Sequence, residues 1–314
     1  MKLKGKFDVG GIIAKEDERY KVVDNSLLRN LVLSSTSLNP GYSTSGHKHA
    51  GQEEVYLFIK GSGDMTLIHP DDREESFSVT EGDIVRVKFT NYGSHAHNIH
   101  FHGIHSAAMD GLPGIGEVEP GESFLYEFEA LPFGCHLYHC HSMPLSRHVH
   151  KGLYGAFIID PDPARNLEFA DVARSRLLGS AENDHWQELL MVMNGFDVNF
   201  DEENEVYAVN SIAHAFSKEP IKIDRTRPVR VYLINITEFD PINSFHLHAN
   251  FFQYFDHGTT LNPTSTTIDT VMQCQGQRGI LEFTFADHEP GKYMFHAHQT
   301  EFAEQGWTGF FDVS

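Results

Sequence analysis

The chain has little that would tie it to a membrane, to nucleic acid or into a cross-linked scaffold. Three Cys in 314 residues do not make a disulfide framework. Cys135 and Cys274 read as two isolated thiols, with a pair between them as the alternative. No apolar run of about 18 residues or more occurs, so no membrane span is expected. The start, MKLKGKFDVGG, lacks the apolar core of a secretory signal. Either the protein stays inside the cell or the sequence begins after processing, and the compartment stays open. Positive charge is scarce: 24 Lys and Arg against 44 Asp and Glu leave a net charge of −20. Phosphate backbones require basic patches, so no nucleic acid partner is expected. An acidic surface attracts cationic substrates, although solubility alone accounts for it.

Histidine is what the chain has instead. There are 21, and they cluster. Chance at that frequency gives roughly one or two His-x-His pairs. Seven occur, at 47/49, 95/97, 100/102, 139/141, 148/150, 246/248 and 296/298. The densest stretch is LYHCHSMPLSRHVHKGLYG, residues 137–155. In an extended strand successive side chains point to opposite faces. Cys140 then faces one way, and His139 and His141 the other. Such a residue wires two metal sites back to back: a thiolate with two imidazoles suits copper, and the two flanking imidazoles suit a second site. His148, beyond a loop with Met143 and Pro144, is a candidate second His of the thiolate site. Leu153 stands where a weak axial ligand would. The same logic applies to HAHNIHFHG, residues 95–103. His97 is an odd number of residues from His100 and His102, so it faces away from both.

The rest of the chain reads as all-β, with 12% aromatic residues and 24 Phe available for cores. Residues 1–62 form an N-terminal β segment, with strands expected at 30–37 and 54–60. Residues 63–163 alternate in the manner of a sandwich or barrel, as in DIVRVKFT and SFLYEF. Residues 164–187 are polar and read as a linker. Residues 188–314 repeat the pattern, with ELLMVM and VRVYLINI as buried strands. FHLHANFFQYF brings His246 and His248, and YMFHAHQTEFAEQGWTGFF brings His296 and His298. The order of motifs matches that in 63–163, which marks an internal repeat. Ala297 stands where the first copy has Cys140, so the second copy has no thiolate site.

Between the first two expected strands lies GYSTSGHKHAGQEEVYLFIKG. Its spacing resembles the first metal-binding motif of the cupin superfamily. That resemblance implies His47, His49 and Glu54, or Glu53, as candidate metal ligands. The second cupin motif is not found after Gly82 and Asp83, and a structural hairpin with exposed His is the alternative.

Residues from about 80 to 314 resemble a two-domain multicopper oxidase, a small laccase-like enzyme of two cupredoxin domains. Four His-x-His elements, one of them His-Cys-His, carry the resemblance. It implies an all-β fold of two cupredoxin-like Greek-key β-sandwich domains, preceded by the cupin-like β segment. It also implies about four coppers per chain, one type 1, one type 2 and a type 3 pair. By position, His97, Cys140 and His148 hold the type 1 copper, with Leu153 axial and non-coordinating. His100 and His246 hold the type 2 copper. His102, His139, His141, His248, His296 and His298 hold the type 3 pair. Asp110 and Glu301 are candidate proton donors, and solvated turn acids are the plainer reading of each. The implied partners are O2 and a small reducing substrate, with no membrane and no nucleic acid. A homotrimer would place the first domain of one chain against the second of the next. His95, His105, His136 and His150 read as supporting or solvated residues; His69, His214, His257 and His288 read as loop residues.

Two further functions compete. HNIHFHG also resembles the copper nitrite reductases, but there the position of His100 is an Asp and that of His141 is not His. A copper-storage or electron-transfer protein would carry the same ligands without turnover. A Met-rich insert would mark a metal-ion oxidase, and the eight Met are scattered.

Overall fold

In the computed structural model the described residues are 79–167 and 186–314, with short strands at 12–16, 20–25, 33–38, 67–68 and 74–75. The chain divides into two compact units, one of Met1–Ala50 with Leu67–Glu75, the other of Gly51–Thr66 with Ser76–Ser314. In the first, β1 (Ile12–Glu16), β2 (Tyr20–Asn25) and β3 (Leu33–Leu38) form an antiparallel sheet in that order. There β4 (Leu67–Ile68) pairs with β5 (Glu74–Glu75). The cupin-like residues His47, His49, Glu53 and Glu54 lie outside the described residues. So does the strand expected at 54–60, together with most of the expected linker.

The second unit begins with a small sandwich. Strands β6 (Ile84–Thr90) and β8 (Ser123–Glu129) pair along their length. Both alternate as the sequence does: Val85, Val87, Phe124, Tyr126 and Phe128 turn inward, while Arg86, Lys88 and Glu127 turn outward. The facing sheet has the order β10 (Tyr154–Ile159), β9 (Gly134–His139), β7 (His100–Phe101). Phe101 sits between the sheets, its ring 4.9 Å from Phe128, 5.7 Å from Tyr138 and 5.8 Å from both Tyr126 and Phe157. Tilted and edge-on pairs of this kind each add about 0.5–1.5 kcal/mol to the burial of the ring.

The second sandwich is larger. Its strands are β11 (Gln187–Phe196), β12 (Val206–Val209), β13 (Ile221–Ile223), β14 (Val229–Asn235), β15 (Ile242–Leu247), β16 (Phe252–Asp256), β17 (Ser265–Ile268), β18 (Thr270–Cys274), β19 (Arg278–Phe283), β20 (Gly291–His296) and β21 (Thr308–Val313). One sheet runs β12-β11-β14-β19-β16-β17, the other β13-β21-β20-β15-β18. Neighbours that are far apart in sequence, such as β14 and β19, give the Greek-key character. Phe245, Phe295, Phe311 and Trp307 fill the space between the sheets with Val231, Leu233 and Leu281.

The two sandwiches share a wall. Cys135 and Leu137 of β9 pack with Val149 against Val192, Tyr232, Ile234, Phe255 and Ile280 of the six-stranded sheet. Strand β14 is therefore covered on both faces and buried at every position. Its run VRVYLIN is apolar apart from Arg230, Tyr232 and Asn235, and each of these has hydrogen-bond partners. Cys135 is buried and Cys274 is exposed, and no disulfide joins them.

Candidate metal centre

Strand β9 ends at His139, but Cys140 stays in register because its N–H donates to the Leu153 carbonyl at 2.9 Å. The extended backbone keeps the alternation going, and Cys140 turns away from its two neighbours. Its Sγ lies 3.3 Å from His148 Nδ1 and 3.6 Å from His97 Nδ1, and those two nitrogens are 3.1 Å apart. Bonds of about 2 Å to one ion put donor atoms about 3–4 Å apart, so the trio fits a three-coordinate metal. His148 arrives there from a helix, where the sequence suggested only a loop. Helix α1 (Leu145–His150) starts behind Pro144, an extended residue that cannot continue a helix backwards. Val149 of α1 anchors it in the shared wall, which turns His148 to Cys140. Met143, the other sulfur nearby, is 71% exposed and outside the trio. The half-buried Leu153 offers no donor atom in its side chain.

On the other side, His100, His102 and His139 bring one ring nitrogen each within 4.8 Å of one another. His141 joins them, with its ring 5.4 Å from His100 and stacked on His139 at 5.7 Å. The second sandwich builds the same quartet from His246, His248, His296 and His298. The correspondence extends to the backbone. His100 opposes His139 in register, and His246 opposes His296. The N–H of His102 donates to Leu137, and that of His248 to Met294. The N–H of His141 donates to Asn98 Oδ1 at 2.5 Å, and that of His298 to Ser244 Oγ at 2.8 Å. Asn243 and Ala297 occupy the positions of His97 and Cys140 in the second copy, and both are fully buried.

The hydrogen bonds fix the tautomers. Nδ1 of His100, His139, His246 and His296 faces the carbonyls of Asp110, Cys140, Asp269 and Ala297 at 2.8, 2.9, 3.0 and 2.5 Å. A carbonyl only accepts, so each Nδ1 carries the hydrogen and Nε2 is left as a bare lone pair. The Nε2 of His139 lies 2.9 Å from that of His102, and the Nε2 of His296 lies 2.9 Å from that of His248. Burial, then the neighbouring imidazoles, lowers the pKa of His102 to about 3. His139, His248 and His296 are lowered too, burial first and their histidine neighbours contributing. For His296 the hydrogen bond to the Ala297 carbonyl opposes that lowering without cancelling it. Neutral rings with converging lone pairs are the donor set that a transition metal needs.

The acids differ in placement. Asp110 Oδ1 lies 2.9 Å from His100 Nδ1 and 3.4 Å from His105 Nε2. Gly111 presses this turn onto the strand: at φ +68 a Cβ there would run into the Ile99 carbonyl. Helix α2 (Ala215–Lys218) takes no part in the site. Glu301 is exposed on α3 (Thr300–Glu304), where its carboxylate accepts from Gln305 at 3.2 Å. Sequence reasoning missed the contact of His105 with Asp110, and the turn that brings Gly276 to His102. The first had a signal in the short spacing from His105 to Asp110; the second joins different sandwiches and had none. Among the described residues no ring contact joins the quartet of the first sandwich to that of the second.

Two multicopper oxidase family models match the chain, one over residues 68–164 and one over residues 185–314. A solved structure described as a multicopper oxidase is 47% identical, with a TM-score of 0.65, and the match covers 80% of this chain and 86% of that one. Multicopper oxidase VdtB of Byssochlamys spectabilis is 41% identical over 88 residues, 26% of this chain and 12% of that protein. A copper-containing nitrite reductase of Neisseria meningitidis serogroup A is 26% identical over 233 residues, 70% of this chain and 56% of that protein. The chain thus spans less than two thirds of the length of these curated relatives.

Proposed function

Because the chain belongs to the multicopper oxidase family, we propose that it is a laccase-like copper oxidase. It would couple one-electron oxidation of a phenol, an aromatic amine or a metal ion to four-electron reduction of O2 to water. The observation that carries this reading is the pair of matching histidine quartets, with Nε2 left bare on His100, His139, His246 and His296. Bound copper would supply the one-electron chemistry at Cys140 and the dioxygen chemistry at the joined quartets.

His97, Cys140 and His148 would hold the type 1 copper, with Leu153 as the neighbour that gives no bond and so favours a high potential. His100 and His246 would hold the type 2 copper. His102, His139, His141, His248, His296 and His298 would hold the type 3 pair, for about four coppers per chain. Cys140 is bonded through the backbone to His139 and His141, the shortest covalent path from one site to the other. Asp110, on the hydrogen-bearing side of His100, orients that ring and is the better placed proton donor; Glu301 is the second candidate.

Eight imidazoles make one cluster only if the two quartets meet, and a homotrimer supplies that meeting between chains. Support comes from the second quartet's setting. His246 and His296 project from the outer face of the five-stranded sheet, beside Met272, which is 60% exposed, and Ile242. Covering that face with another copy would remove apolar surface from water and complete the ligand set.

Copper content, visible spectrum and oxygen uptake of the copper-loaded protein and of Cys140→Ser test the reading. About four coppers per chain, an intense blue band absent from the variant, and O2 consumption with a phenolic donor are expected. About two coppers with nitrite turnover would transfer the chain to the reductase reading. Full copper loading without O2 uptake would leave a copper-binding or electron-transfer protein.

A further inference from the structure

Two arginines of the second sandwich are buried, and they are treated differently. Arg230 has two carboxylates, with Glu282 at 2.9 Å and Glu188 at 3.0 Å. Arg278 is 9% exposed, and among the described residues no carboxylate lies within ion-pair distance of it. Its partners are backbone carbonyls: Nε donates to Cys135 at 3.1 Å and Nη1 to Gly276 at 3.4 Å. Both lead to the first quartet. Cys135 lies on β9, the strand that ends in His139. Gly276 lies at the β18–β19 turn, where a Cβ would be 3.5 Å from His102 Cε1. A guanidinium taken out of water with no carboxylate in contact keeps much of its field, because carbonyls solvate it but do not neutralise it. The field has a short way to go: Arg278 Nη1 bonds the carbonyl of Gly276, the residue whose Cα side faces the His102 ring.

We infer that Arg278 is a positioning residue that braces the Gly276 turn against His102 and supplies a fixed positive charge that tightens the binding of small anions at the histidine cluster. The inference rests on the copper-cluster reading above. A guanidinium stays protonated throughout the working range, so this contribution does not depend on pH. Burial lowers the pKa of Arg278, and Asp256, whose carboxylate contacts His257 at 3.0 Å, is the carboxylate among the charges that oppose that lowering and so moderates its field. Removing Asp256 would leave more of the arginine's field at the cluster.

The probe is azide, titrated into copper-loaded protein and followed by its charge-transfer absorption, with the melting temperature of the apoprotein measured alongside. Arg278→Gln is expected to raise the azide dissociation constant about tenfold. Arg278→Lys, which keeps the charge, should stay within about threefold of the parent. Asp256→Asn should shift binding the other way, tightening it about twofold. A brace without an electrostatic role would lower the melting temperature of both Arg278 variants alike and leave azide binding unchanged, which overturns the inference. If Arg278→Gln does not fold, Asp256→Asn decides by the sign of its shift. Copper-loaded parent protein with no azide band overturns the cluster reading, and this inference with it. A normal parent band with an identical dissociation constant in the variants overturns this inference alone.

Discussion

At the scale of single residues, the chemistry is set by what each imidazole faces. A ring nitrogen opposite a carbonyl must carry the hydrogen, and its other nitrogen is thereby left as a lone pair able to bind a metal. His136 shows the opposite use of burial. It is 2% exposed on β9, its Nε2 donates to the Pro132 carbonyl at 2.8 Å, and burial pushes its pKa down from 6.5 to about 4. An unfolded chain takes up this proton first as the pH falls. The stability tied to neutral His136 is therefore whole above about pH 6.5, declines between 6.5 and 4, and is gone below about 4. Replacing His136 by Gln, which can keep the donor to Pro132, should flatten this acid limb by roughly 3 kcal/mol. Denaturant unfolding of the apoprotein at neutral pH and near pH 4.5 measures it. An unchanged difference between the two conditions would place the acid sensitivity elsewhere, with His102 the next group to replace.

At the scale of elements, the site is held by short pieces of chain locked to one another. Strands β7 and β9 set His100 opposite His139, α1 returns His148 to Cys140, and the turn at Asp110 closes on His100. The turn depends on Gly111. Its positive φ and its contact with the Ile99 carbonyl leave no room for a side chain. Gly111→Ala is expected to cost at least about 2 kcal/mol and to move Asp110 away from His100. A lower melting temperature together with weaker copper retention at the cluster, but an intact blue band, would match that account. Loss of the blue band as well would mean that the turn also supports His97. The alternation of DIVRVKFT and SFLYEF made β6 and β8 legible in advance, because one face is wet and period two survives. The helix at α1 was not legible. LSRHVH is six residues with a single fully buried position, too short to show a helical period.

For the whole molecule the proposed trimer turns on which surface could meet another copy. The outer face of the five-stranded sheet carries His246 and His296 with Met272, Ile242 and the half-buried Met294. A charge placed there would have to be desolvated on association. If the protein is the proposed trimer, Ile242→Glu combined with Met272→Glu is expected to give monomers, seen as a threefold drop in molar mass by light scattering. Monomers should keep the blue band, whose three proposed ligands lie within one chain, and lose the copper proposed to be shared between chains. Monomers with full copper content would show that the quartets do not need a second copy.

Sequence alone determined the kinds of candidate ligand and how they group. Cys140 is separated in direction from His139 and His141 because alternation in an extended chain is a local property, and the same holds for His97 against His100 and His102. The repeat was legible for the same reason, since each quartet comes from two short motifs whose spacing survives duplication. Only the tertiary structure decided what depends on distant contacts. These are the tautomers set by carbonyls such as Asp269, the match of Asn98 to Ser244, the helix that delivers His148, and the buried arginine bonded to the turn at Gly276. None of these is encoded by neighbours in the chain. Each arises because burial forces a polar group to find a partner, and the partner is whichever residue the fold brings there.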